Sequence, residues 1–240
     1  MSSSILSSID VIFQVPAASI VIFAGYRSFR LREGLVNAIY RSRALWVGVM
    51  ALVISLGEVQ QILSDLGYAP FYFPPYPNLA IFVIYTAFSL LAVVALFRWI
   101  DITAGVALEV DFFHRDPLHW KAIRKPAWVV VIFGIFATQF SPNYLYYSIF
   151  GAICFSPIVY AGLVILASER RVYDDALKRY MRWIGITILS LIVLGVTDTI
   201  NPFLNFPLLL TAYCFYRVSV SLSSTSKVEA RPSRTLGTIS

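Results

Sequence analysis

Charge is what this sequence has least of. Only 13% of its 240 residues are Asp, Glu, Lys or Arg, while 58% are hydrophobic; an ordinary soluble domain carries about twice that share of charge. Water is therefore not the main solvent of this chain. Histidine and cysteine are scarce as well, at two each: His114, His119, Cys154 and Cys214. Both cysteines fall in long apolar runs, where a thiol acts as a small apolar filler, so they carry no reading of redox compartment. No Ser-His-Asp order, HExxH, CxxC or phosphate-binding glycine loop occurs, which leaves little for catalysis to use, and the sequence predicts neither an enzyme nor a cofactor. Residues 1–9 lack Lys and Arg; a removable signal peptide needs a basic start, so the first apolar run is expected to stay as a helix.

What the chain has in quantity is uninterrupted apolar sequence. Leu79 to Phe97 contains no charge, and neither does the stretch from Pro126 to Ser168, long enough for two runs and a turn. A helix needs about 20 such residues to cross a bilayer core. Seven spans follow, at 9–26, 44–64, 79–98, 126–141, 145–167, 183–200 and 206–222. In lipid each span must satisfy its own backbone hydrogen bonds, which makes helices the reasonable form. The expected fold class is all-α: one integral membrane bundle over 1–222, followed by a Ser/Thr-rich tail, 223–240, too polar to order itself.

The basic residues then set an orientation. All 19 Lys and Arg lie in alternate connections or in the span ends that adjoin them, and the connections 65–78, 141–144 and 201–206 hold none. Basic residues near span ends stay on the cytoplasmic side, which places the tail inside the cell, the N-terminus outside, and the protein in the plasma membrane. Nine of the 13 acids share the basic side; Asp10, Glu58, Asp65 and Asp198 lie in the outer half. The basic residues are scattered beside span ends with no aromatic-basic stripe, so nucleic acid is not expected; they read as topology signals that meet anionic headgroups of the lipid bilayer. Tyr68, Phe71, Tyr72, Phe73, Tyr76, Tyr144, Tyr146 and Tyr147 gather at the outer boundary as an interfacial aromatic belt.

The heptapeptide HRDPLHW, 114–120, opens with three letters of a kinase catalytic loop. Such a loop needs an Asn five residues after its Asp, and position 121 is Lys. Asp116 instead suits a helix cap, with Pro117 at the first helical position. Asp111, His114, Asp116 and His119 are a weak alternative as transition-metal ligands; no metal site is expected.

Two carboxylates stand where lipid penalises them. Glu58 and Asp198 occur at similar points along the second and sixth spans, roughly 20 Å from the inner boundary at 1.5 Å per residue. A charge at such depth costs roughly 2.5–3.5 kcal/mol on insertion scales and should face the bundle interior. With Gln14, Gln61, Asn201 and Asn205 they outline an expected outward polar cavity for a ligand or ion; Gln60, Thr197 and Thr199 are further neighbours.

Spans one to three and five to seven run in the same directions, which permits a parallel 3+1+3 repeat. Pro16 and Pro157, Trp46 and Trp183, and the strings Pro75-Tyr76-Pro77-Asn78 and Pro202-Phe203-Leu204-Asn205 match across it. On these residues the plan resembles the SWEET-type sugar transporters, although the second and sixth spans lack Pro and no Pro-Gln motif is present. The segments LKRYMRWIGI (177–186) and AYCFYRVSVSL (212–222) are similar to an archaeal seven-helix membrane protein family with no assigned activity. Helix number and orientation also resemble a microbial rhodopsin, but the seventh span lacks the Lys that retinal requires. The function expected is a sensor, receptor-like or accessory membrane subunit working with a membrane partner or as a homo-oligomer. The alternative is a small-solute or ion-coupled transporter.

Overall fold

Each apolar run coincides with a helix, and most of the helices continue past it. The structure is a computed structural model describing the backbone of residues 3–35, 38–68, 77–109, 120–139, 144–170, 172, 175–200 and 206–229, and side chains within 11–35, 38–68, 77–103, 125–137, 156–194 and 207–224. Among the described residues there are seven helices and no strand: α1 (Ser3–Gly34), α2 (Ala38–Asp65), α3 (Leu79–Glu109), α4 (Trp120–Gln139), α5 (Tyr144–Glu169), α6 (Asp175–Ile200) and α7 (Phe206–Glu229). Three are long and apolar enough to cross a membrane, in the segments Val11–Gly34, Tyr40–Asp65 and Leu79–Thr103. Their outward faces carry bare apolar side chains such as Ile12, Val83 and Ile84, each more than half exposed. In water that surface would be a liability; against lipid chains it is at home.

Neighbours in sequence pack as neighbours in space, from α1 against α2 round to α6 against α7. The ring closes because α7 returns to α1, with α2–α7 and α3–α5 contacts across it. The basic helix ends lie together. Arg27 Nη2 of α1 donates to Ser223 Oγ of α7 at 3.2 Å, and the α7 ring of Tyr216 stacks on Phe23 of α1. Arg182 Nε of α6 donates to the buried Glu169 carboxylate at the end of α5, 2.9 Å away. Phe97 of α3 meets Trp128 of α4 at 4.4 Å between centroids.

Close approach within two helix pairs depends on glycine. A Cβ on Gly48 of α2 would stand 2.8 Å from the Phe29 ring of α1, and one on Gly25 would stand 3.0 Å from Ala51 Cβ. In α5 and α6 a Cβ on Gly185 would meet Leu166 Cγ at 2.5 Å, and one on Gly162 would meet Ile188 Cγ2 at 3.0 Å. Where lipid surrounds a helix pair there is little hydrophobic drive between the two, and small residues that bring backbones together supply attraction by van der Waals contact.

The ends have local causes. α2 ends at Asp65 and the chain turns away at Gly67, whose φ of +77° is the left-handed conformation glycine adopts without strain. Tyr68 N–H reaches Leu63 C=O at 2.8 Å and Gly67 N–H reaches Ser64 C=O at 2.9 Å, the paired bonds that close a helix C-terminus. Gly67→Ala is expected to cost about 1 kcal/mol by forcing a Cβ into that conformation, measurable as a fall in thermal midpoint with helix content unchanged. α3 starts under a cap: Asn78 Oδ1 accepts the Ile81 N–H at 2.9 Å. Asn78, matched to Asn205 in the expected repeat, thus has a structural task of its own. The tail expected to be irregular from 223 begins as helix, α7 running on to Glu229; Ser221, Ser223 and Ser224 each bond a carbonyl three residues back.

Candidate functional site

The polar residues toward the helix ends opposite the basic residues form links between helices. Gln14 of α1 is buried, and its Nε2 donates to Asp65 Oδ2 at the end of α2, 3.0 Å away. Gln60 of α2 donates to the Tyr85 hydroxyl of α3. Glu58 lies about 10 Å deeper than Asp65, at 1.5 Å per residue. It is half-buried, with its Oε2 shielded from solvent and its side chain engaged with a neighbouring group. Gln61 is half-buried on the same helix. The structure therefore brings Gln14, Glu58, Gln60, Asp65 and Tyr85 to one end of α1, α2 and α3.

The other half of the expected cavity is not placed. Asp198 belongs to α6, but its side chain lies outside the described residues, as do those of Thr197 and Thr199, and Asn201 and Asn205 lie outside them altogether. The same holds for Asp111, His114, Asp116 and His119, and for the cap expected of Asp116 and Pro117; α4 begins at Trp120. Among the described residues no three His, Cys, Asp or Glu come together as a metal site.

The basic end holds a cluster that sequence reasoning missed. Arg43, expected to mark topology beside a span end, is instead fully buried. Its guanidinium lies over the Tyr40 ring at 4.9 Å and the Tyr180 ring of α6 at 5.3 Å. Hydrophobic and cation–π contact with two rings offsets the desolvation that would otherwise exclude such a charge. The Tyr180 hydroxyl sits beside the Trp99 indole and the Thr103 hydroxyl of α3, and Trp99 packs on Phe215 of α7 at 5.7 Å. Arg43, Trp99, Tyr180 and Phe215, from four helices, are all among the fully buried side chains. Arg217 of α7 repeats the pattern farther out, stacked on Trp183 at 4.6 Å with its Nη1 donating to the Tyr213 hydroxyl at 3.1 Å. Tyr40 three residues before Arg43 puts both on one helix face, the only local signal for this cluster; Tyr180 and Trp99 are brought to it by tertiary packing.

No protein-family model, no curated protein and no solved structure matches this chain.

Proposed function

We propose that the chain is a seven-span membrane protein with its basic end in the cytoplasm and its N-terminus outside, acting as a sensor, receptor-like or accessory membrane subunit without catalysis. The contrast between the two ends of the bundle supports this reading best. At the basic end Arg43, Trp99, Tyr180 and Phe215 close the space between four helices, and Arg27 fastens α1 to α7. Toward the opposite end Gln14, Glu58, Gln60 and Asp65 supply hydrogen-bonding groups. A ligand or ion held at the polar end, with Asp198, Asn201 and Asn205 completing the cavity, would act by shifting helices against that closed layer. Its effect would pass to a partner in the same membrane or to a second copy of the chain.

A second reading, a small-solute or ion-coupled transporter, is favoured by one specific observation. Gly162, Leu166, Trp183, Gly185 and Ile188 each follow Gly25, Phe29, Trp46, Gly48 and Ala51 by 137 residues, and the glycines meet the same partners in both sets. Arg43 and Tyr180 are counterparts in that register and touch each other. Equivalent residues in contact lie next to the axis relating two halves, the arrangement of a parallel repeat with a site between its halves. The register pairs Asp198 with Gln61, one turn beyond Glu58.

Flux into proteoliposomes separates the two readings. The first expects protons, sodium and labelled sugars or amino acids to enter no faster than into empty vesicles, in the native chain and in Glu58→Gln alike. Flux above background that collapses in Glu58→Gln overturns the first reading and supports the second.

A further inference from the structure

An open groove of about 450 Å³ lies between α3 and α4 at the basic end, lined by Val94, Arg98, Asp101, Lys125 and Trp128. Val94, Arg98 and Asp101 are spaced four and three residues apart and share one face of α3, while Lys125 and Trp128, three apart, share one face of α4. Arg98 and Lys125 are exposed, and Asp101 and Trp128 are half-buried. The indole of Trp128 is braced against the fully buried ring of Phe97, which fixes one wall. Val94 and Trp128 make the membrane-ward part apolar, while the charges sit toward the basic end.

Both the polarity gradient and the charge count select an occupant. Two cations face one carboxylate, and Asp101 is itself engaged with a neighbouring group, so the lining carries a net single positive charge. A phosphodiester supplies one negative charge and acceptor oxygens that a guanidinium can bind in pairs. Basic pockets between helices at the inner face are suited to anionic headgroups, and an indole at the water–lipid boundary suits the glycerol level. We propose that this groove binds an anionic glycerophospholipid with a hydroxylated headgroup. Its phosphodiester lies between Arg98 and Lys125, its headgroup hydroxyls point toward Asp101, and an acyl chain follows Val94 and Trp128. The proposal rests on the bundle being membrane-embedded with its basic end at one leaflet, and not on whether it senses or transports.

Native mass spectrometry of the full chain released from nanodiscs tests it, using phosphatidylglycerol and phosphatidylcholine at equal mole fraction. Preferential retention of phosphatidylglycerol is expected. Arg98→Gln and Lys125→Gln should each weaken it roughly fivefold, the contribution of one basic residue near a headgroup. Both side chains are exposed, and unchanged melting curves will show that the variants fold. Arg179→Gln removes an exposed charge from the same end on α6 and should leave retention as it was. Equal retention of the two lipids, full retention in the Arg98→Gln/Lys125→Gln double variant, or an equal loss in Arg179→Gln would overturn the proposal. So would displacement by free glycerol 3-phosphate at the lipid's own concentration, which would make the occupant a soluble anion.

Discussion

Gly185→Ala is expected to lower the thermal midpoint of the detergent-solubilised chain by about 5 °C, whereas Gly57→Ala leaves it unchanged or raises it. The new Cβ at 185 would lie 2.5 Å from Leu166 Cγ, 2.8 Å from Leu166 Cδ2 and 3.1 Å from the Gly162 carbonyl oxygen. Cγ is the branch point of its side chain and cannot swing aside alone, and the carbonyl blocks the remaining direction, so α5 and α6 must separate. Overpacking of this kind costs about 1–3 kcal/mol, and each kcal/mol moves the midpoint of a chain this long by about 2–4 °C. Gly48→Ala should behave similarly but less severely, because the flat Phe29 ring can tilt. At Gly57 the nearest atoms, in the Phe88 ring, are 3.9 Å away, and alanine gains roughly 0.8–1 kcal/mol of helix propensity. Melting followed by circular dichroism reads all three. Equal shifts at 57 and 185 would mean that close helix contact is not the reason for glycine at 185.

Hydropathy made the helices legible but not their ends. The start of α3 at Leu79 follows from the apolar run that begins there under the Asn78 cap. Its end at Glu109 does not, because the uncharged run stops at Phe97 while the backbone bonds of the helix carry on past the charges of Arg98 and Asp101 to Glu109. α1 runs on to Gly34 and α7 to Glu229 for the same reason.

The proposed repeat was legible in part. Trp46 and Trp183 stand in the register that the glycine contacts obey, but Pro16 and Pro157 differ from it by four residues, close to one helical turn. A proline can move by a turn along a helix and keep its face, whereas a glycine beneath a ring or a leucine branch has one position that works. The polar end was legible as a set of residues but not as bonds. Gln14 was expected in a cavity and is held by Asp65, a partner 51 positions away that no local pattern could name.

Arg43 carries the other large effect. Arg43→Ala is expected to cost about 3 kcal/mol or more, since it removes a fully buried side chain from a packed layer together with cation–π contacts to Tyr40 and Tyr180. Arg43→Lys restores a charge without the planar stack and should fall between. Tyr180→Phe keeps the ring and removes only a buried hydroxyl that has no hydrogen-bond partner among the described residues, so it should leave stability unchanged or raise it slightly. Tyr180→Leu removes the ring and should cost more. Combined with Arg43→Ala it should show a coupling of about 1–2 kcal/mol, because each change removes the same contact. The decisive comparison is Arg43→Met, which fills most of the volume without charge. Replacement of buried ions by apolar groups is often neutral; here the guanidinium faces rings on α2 and α6 that attract it, so Met should remain less stable than Arg. A Met variant that melts with the native chain, and a double variant whose losses simply add, would reduce Arg43 to a space-filling side chain and remove the cation from the contact that joins α2 to α6.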